Sequence, residues 1–122
     1  MKYVLMFTDA GPAAWEAAGE ARSKEVYEEM FTWFAEHGAA GRIVNAGAEL
    51  QPVTTATTVR TGEAGTAPVV VDGPFLETKE VIGGFCIVDV PDLDAAVALA
   101  STWPGLQVGN TAVEVRPIVD HG

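Results

Sequence analysis

The chain has 122 residues, enough to bury one hydrophobic core and too few for two. With 48% hydrophobic and 20% charged residues it lies in the ordinary globular range, which sets aside disordered, collagen-like and coiled-coil classes. Seven Lys and Arg against 17 Asp and Glu give a net charge of −10, the wrong sign for gripping nucleic acid or an anionic membrane. The one cysteine, Cys86, has no internal partner, which fits a reducing compartment. The start carries one positive charge and a short apolar run before Asp9, unlike a signal peptide, and no run of about 18 apolar residues offers a membrane span. The expectation is an acidic, soluble, cytoplasmic protein with a single domain over residues 1–122.

Residues 2–8 (KYVLMFT) form an apolar, β-branched and aromatic run closed by Asp9, Gly11 and Pro12, which predicts a strand and a turn. Residues 12–37 are rich in Ala and Glu, with Val26, Tyr27, Met30, Phe31 and Phe34 at helical spacing. They predict one amphipathic helix, loose near Gly19 and ended by Gly38 and Gly41. Residues 42–50, 56–61 and 68–72 predict three short strands, the last two joined as a hairpin. Residues 85–90 (FCIVDV) predict another strand, residues from Pro91 a short helix stopped by Pro104 and Gly105, and residues 112–118 a final strand with Pro117 at an edge.

Each helix joins two strands that can lie parallel in one sheet, and right-handed crossovers place both helices on one face. The fold class is therefore α+β, a ferredoxin-like sandwich with an inserted β-hairpin. Tyr3, Leu5 and Phe7 oppose Val4 and Met6, and Phe85 and Ile87 oppose Cys86 and Val88, so both faces of the sheet are apolar. Helices cover only one of them, and a homodimer packed sheet on sheet is expected for the other.

Four blocks stand in register: Asp72-Gly73-Pro74-Phe75, Glu77-Thr78-Lys79-Glu80, Gly83-Gly84-Phe85 and Asp89-Val90-Pro91-Asp92-Leu93-Asp94. In this order and spacing the chain resembles the DGPF branch of the YCII-related family, and the resemblance runs through residues 1–7, 47–52, 54–59 and 113–117. It implies a dimeric ferredoxin-like α/β barrel. It also implies kinship with small enzymes acting on ring compounds, including a dehydrochlorinase of chlorinated hydroquinones, and with muconolactone isomerases. The YciI type is associated with a His and Asp pair, the Asp in a His-Asp-Glu-Gly stretch. Aligning that glycine with Gly41 puts Ala39 at the Asp position and Glu25 at the His position, so the pair is missing here.

Asp72, held before Gly73-Pro74, reads either as a general base or as the acceptor of an Asx turn. Glu49 follows a small-residue strand and is the second candidate acid or base. Lys79 and Arg116 are candidate clamps for a substrate anion or partners of nearby carboxylates, and Thr78 and Phe75 complete the substrate-binding candidates. Gly83-Gly84 reads as a hinge or as a close-packing device. His37 reads as a helix cap and His121 as a frayed end, and the two lack any zinc spacing. Cys86 reads as a small buried hydrophobe, and Trp15, Trp33 and Trp103 as core, with Trp15 placed to floor a ring pocket. Neither Ser23 nor Ser101 lies in a G-x-S-x-G elbow, and no P-loop or dinucleotide-binding loop is present.

The leading reading is a cofactor-free enzyme of isomerase or lyase type, moving a proton on a small cyclic acid or phenol. Asp72 and Glu49 are its acid-base candidates, and no metal or organic cofactor is expected. The alternative is a dimeric partner-binding module for an extracytoplasmic-function sigma factor, since DGPF proteins resemble companions of such factors.

Overall fold

The computed structural model describes residues 1–73 and 81–122. In chain order the elements are β1 (Lys2–Thr8), α1 (Pro12–Ala18), α2 (Glu20–Ala39), β2 (Ile43–Glu49), β3 (Thr57–Arg60), β4 (Val69–Asp72), β5 (Ile82–Asp89), α3 (Leu93–Ala100) and β6 (Val113–Pro117). Short 3-10 turns lie at Val53–Thr55 and Pro104–Gln107.

Strands β2, β5, β1 and β6 form one sheet in that order, and every neighbouring pair is antiparallel. β1 and β2 run parallel with β5 between them, as β5 and β6 do across β1, which is the ferredoxin-like arrangement of an α+β fold. The expected hairpin is realised as a separate two-stranded sheet, β3 against β4, with Val59 opposite Val70.

In the central β1–β5 pair, Tyr3 faces Val88 and Leu5 faces Cys86. These four side chains are 0–2% exposed and form the floor of the core. α2 and α3 cover that floor with Trp33, Ala96, Leu99 and Ala100. Around Phe7 the aromatic rings interlock. Trp103 stacks on it at 4.1 Å between centroids, and Trp33 meets it edge-on at 6.1 Å. The Trp33 indole donates to Thr102 Oγ1 at 2.8 Å, so its one polar atom is satisfied inside the cluster.

α3 begins where the sequence places it, because the Asp92 carboxylate accepts the Ala95 N–H at 2.8 Å. The long helix differs from expectation in two ways. Gly19 adopts a φ of 87°, cheap only for glycine, and its N–H turns back to the Trp15 and Glu16 carbonyls, so the segment is two helices rather than one. The buried stripe runs through Val26, Met30, Trp33 and Phe34, leaving Phe31 at 72% exposure and Tyr27 at 37%. Trp33, the residue left out of the predicted stripe, is the one that carries it.

On the far face of the sheet Val4, Met6, Phe85 and Ile87 are half-buried and lie outside the core cluster that the helices cover. β5 also starts earlier than residues 85–90 predict, at Ile82, because Gly83 and Gly84 are part of the strand.

β2 follows β5 with two register shifts, one between Ile43 and Asn45 and one between Asn45 and Ala48. The second contains Gly47 at a φ of 65°, where a Cβ would lie 1.8 Å from the Phe85 carbonyl oxygen. Gly47→Ala therefore meets both left-handed strain and a backbone clash. It is expected to destabilise the fold by about 2 kcal/mol or more, measured as a lower denaturant midpoint at unchanged m-value.

Candidate active site

Past the Gly47 bulge, β2 ends on Glu49, which lies opposite Gly84. Gly84 faces the helices, as Cys86 and Val88 do, so Glu49 projects toward α2 rather than toward the open sheet face. There the Tyr27 hydroxyl donates to Glu49 Oε1 at 3.2 Å. The break at Gly19 folds α1 back along α2, and the Trp15 ring lies 5.0 Å from that of Tyr27 at 34°. The Ser23 hydroxyl donates to the Trp15 carbonyl at 3.1 Å and anchors the turn.

The ends of three strands meet beside this pair. The Asp9 N–H donates to the Val81 carbonyl at 2.6 Å, and the Leu50 N–H donates to the Gly83 carbonyl at 2.8 Å. A Cβ on Gly83 would sit 3.0 Å from Asp9 Cβ, and one on Gly84 would sit 2.9 Å from the Ala48 carbonyl oxygen. These two glycines serve close packing, which brings Asp9 and Glu49 to one end of the sheet.

Burial raises the Tyr27 pKa above 10.0, and the Glu49 charge, the hydrogen bond to Glu49 and the Asp9 charge push it the same way. The phenol is therefore a proton-bearing donor at neutral pH, beside a carboxylate that accepts from it. A base, a hydrogen-bond donor and an aromatic floor from Trp15 are the parts that proton transfer on a small ring requires.

Of the residues singled out in the sequence, Glu49 lies in this cluster. Asp72 ends β4, in the separate two-stranded sheet, paired with Thr57. Arg116 lies on β6, at the opposite edge of the main sheet from β2. It is on the open face opposite Val4, and its guanidinium donates to Glu114 at 2.7 Å. Within one chain Arg116 and Glu49 are not brought together. Phe75, Thr78 and Lys79 lie outside the described residues. Cys86 is fully buried and burial pushes its thiol up to about 12, so it supplies no thiolate. Among the described residues, no three His, Cys, Asp or Glu side chains gather as metal ligands, and no helix is long and apolar enough to cross a membrane.

Sequence reasoning passed over Tyr27 and Asp9. Tyr27 stood inside an apolar helical stripe, and its hydroxyl is the only feature that set it apart. Its partner lies 22 residues away in sequence, beyond the reach of any local pattern.

A sequence model of the YCII-related domain matches residues 1–120. An uncharacterised protein of Rhizobium meliloti (strain 1021) is 32% identical over 116 residues, covering 94% of this chain and 89% of that protein. Among solved structures, 5-chloro-2-hydroxyhydroquinone dehydrochlorinase from Burkholderia phenoliruptrix AC1100, in complex with 2,5-dihydroxybenzoquinone, superposes with a TM-score of 0.52 at 16% identity. The match covers 100% of this chain and 96% of that one, and at this identity it describes the fold.

Ultraviolet difference titration of the wild type against Tyr27→Phe isolates the Tyr27 curve. Its midpoint is expected above 10.0 and is expected to fall in Glu49→Gln, because that change removes a charge disfavouring the phenolate. A midpoint that stays put in Glu49→Gln shows that the pair does not form in solution.

Proposed function

The chain belongs to the YCII-related domain family, and from that premise we propose that it is a small cofactor-free enzyme transferring a proton on a cyclic acid or phenol at the Tyr27–Glu49 pair. The observation that carries this reading is the 3.2 Å hydrogen bond between a proton-bearing phenol and a carboxylate, with the Trp15 ring beside it. In the proposed step the Tyr27 hydroxyl leaves Glu49 and donates its one hydrogen bond to the substrate oxygen on which charge develops, while the freed Glu49 carboxylate takes a proton from the substrate and afterwards returns it. Trp15 stacks on the substrate ring.

The ligand in the structural neighbour's complex, 2,5-dihydroxybenzoquinone, is a planar oxygenated ring of the class proposed here. Asp72 is retained as a second proposed acid-base group, and Phe75, Thr78 and Lys79 as proposed substrate contacts. Arg116 is proposed as an anion clamp that must first release Glu114. An acidic surface alone does not single out a sigma-factor partner, and no observation among the described residues favours that alternative.

We also propose that a second copy of the chain covers the open sheet face through Val4, Met6, Phe85 and Ile87. The solution mass is then that of two chains at micromolar concentration. Ile87→Glu, which places a charge in the middle of the face, is expected to give a folded monomer. A wild-type mass of one chain overturns the dimer.

The enzyme reading is tested by thermal shift against 2,5-dihydroxybenzoquinone and related phenols. A ligand at 100 times its Kd raises stability by about 2.7 kcal/mol. The shift is expected in the wild type and lost in Glu49→Gln and in Tyr27→Phe. A shift retained in both variants moves the site elsewhere, and no shift with any ring compound removes the reading.

A further inference from the structure

At the other end of α2 from Tyr27, a groove of about 390 Å³ opens between the helix terminus, the corner that starts β2, and α3. The helix ends in a Schellman cap: the Gly41 N–H donates to the Gly38 carbonyl at 3.1 Å and the Arg42 N–H to the His37 carbonyl at 3.0 Å. The Arg42 carbonyl accepts the Asp89 N–H at 2.8 Å, so the backbone of Arg42 is fixed on both sides. That cap sets the side chains of Arg42 and His37 together, with Nη1 3.1 Å from Nδ1.

A guanidinium has donors only, so His37 Nδ1 must accept, and the ring is the neutral tautomer carrying its proton on Nε2. Burial first, and then the Arg42 charge, lower the His37 pKa, with the Glu36 charge opposing them. Arg42 thus spends one donor on an uncharged ring. Arg22 and Arg116 by contrast hold carboxylates, and among the described residues no carboxylate lies within ion-pair distance of Arg42. Asp89, on the groove's rim, is already engaged by the Met1 amino group at 3.1 Å. The Thr102 hydroxyl has its one proton committed to the Leu99 carbonyl at 2.7 Å and accepts from Trp33, so it has no donor left for an anion. The floor is apolar, with Val90 at 7% and Leu99 at 6% exposure.

We propose that this groove is a binding site for a small monocarboxylate, its carboxylate forked onto the Arg42 guanidinium and its apolar body resting on Val90 and Leu99. One guanidinium over an apolar floor suits a singly charged group with a hydrocarbon body. A phosphate dianion would lie beside the Asp89 carboxylate on the rim with a single guanidinium to hold it. None of these residues belongs to the Tyr27–Glu49 pair, so the site stands or falls separately from the proposed reaction.

Butyrate, a monocarboxylate without the ring proposed for the Tyr27–Glu49 site, is the probe, titrated into 15N-labelled protein and followed through the amide shifts. Saturable shifts centred on Arg42, Val90 and Leu99 are expected, with affinity reduced at least tenfold in Arg42→Gln and unchanged in Glu49→Gln. Arg42→Lys keeps the charge without the fork and falls between wild type and Arg42→Gln. These variants leave the backbone bonds of Arg42 in place, and an unchanged melting temperature verifies the fold. 1-Butanol, which matches butyrate without the charge, is expected to bind at least tenfold more weakly. Equal binding of 1-butanol, full affinity in Arg42→Gln, shifts centred on Tyr27 and Glu49, or no saturable shift at all would each overturn the site.

Discussion

The pairing of β1 with β5 at the centre of the sheet sets the terms for everything else in the molecule. In that antiparallel register Leu5 faces Cys86 and Tyr3 faces Val88 on one side, while Val4 faces Ile87 and Met6 faces Phe85 on the other. A strand cannot bury one set without displaying the other, because successive side chains alternate between faces. The helices take the first set. The glycines at the start of β5 let β1 and β2 converge at one end, where a Cβ on either glycine would press on Asp9 or on the Ala48 carbonyl. The position of Glu49 is thus a consequence of how closely three strand ends approach, and the bulge at Gly47 is the device by which β2 reaches that point.

α2 carries two chemistries on one rigid element. Tyr27 and His37 are ten residues apart, about 15 Å along the helix, and the aromatic cluster of Phe7, Trp33, Phe34 and Trp103 fills the space between them and the sheet. Edge-to-face and stacked ring pairs contribute about 0.5–1.5 kcal/mol each beyond their buried area. They also lock the helix against rotation. A turn of α2 that moved Tyr27 away from Glu49 would have to pull Trp33 off the edges of the stacked Phe7 and Trp103 rings, so the position of the candidate pair is set by packing more than by its own exposed hydrogen bond.

Much of this was legible in the sequence where the pattern is local. The alternation in residues 2–8, the Asp92 cap and the valine-rich hairpin each declare themselves within a few residues, and the sheet order follows from the handedness of crossovers. The long helix was harder. Its stripe was read through Tyr27 and Phe31, yet the burial follows Trp33 instead, because Trp103 and Phe7 approach from distant parts of the chain and decide which side of the helix is inside. The candidate site was half legible for the same reason. A carboxylate after a small-residue strand invites attention, whereas a tyrosine hydroxyl in an apolar run acquires its role only when the fold sets it against Glu49. The Arg42–His37 contact belongs to a helix cap, and glycine at residue 41 signals that cap without revealing what the next side chain touches.

Charge explains why an open sheet face is tolerable in so acidic a chain. At a net charge of −10, two copies repel at long range, and exposed ion pairs such as Arg22 with Glu25 and Glu29 return little stability. The open face is different. Its two charged side chains on β6, Glu114 and Arg116, cancel at 2.7 Å, and the strands beside them present Val4, Met6, Phe85 and Ile87. This apolar face is therefore also nearly neutral, so association there would gain hydrophobic free energy without bringing like charges face to face. The same pairing occupies Arg116, whereas Arg42, among the described residues, sets its guanidinium against the neutral His37 ring and is the better placed of the two to meet an anionic ligand.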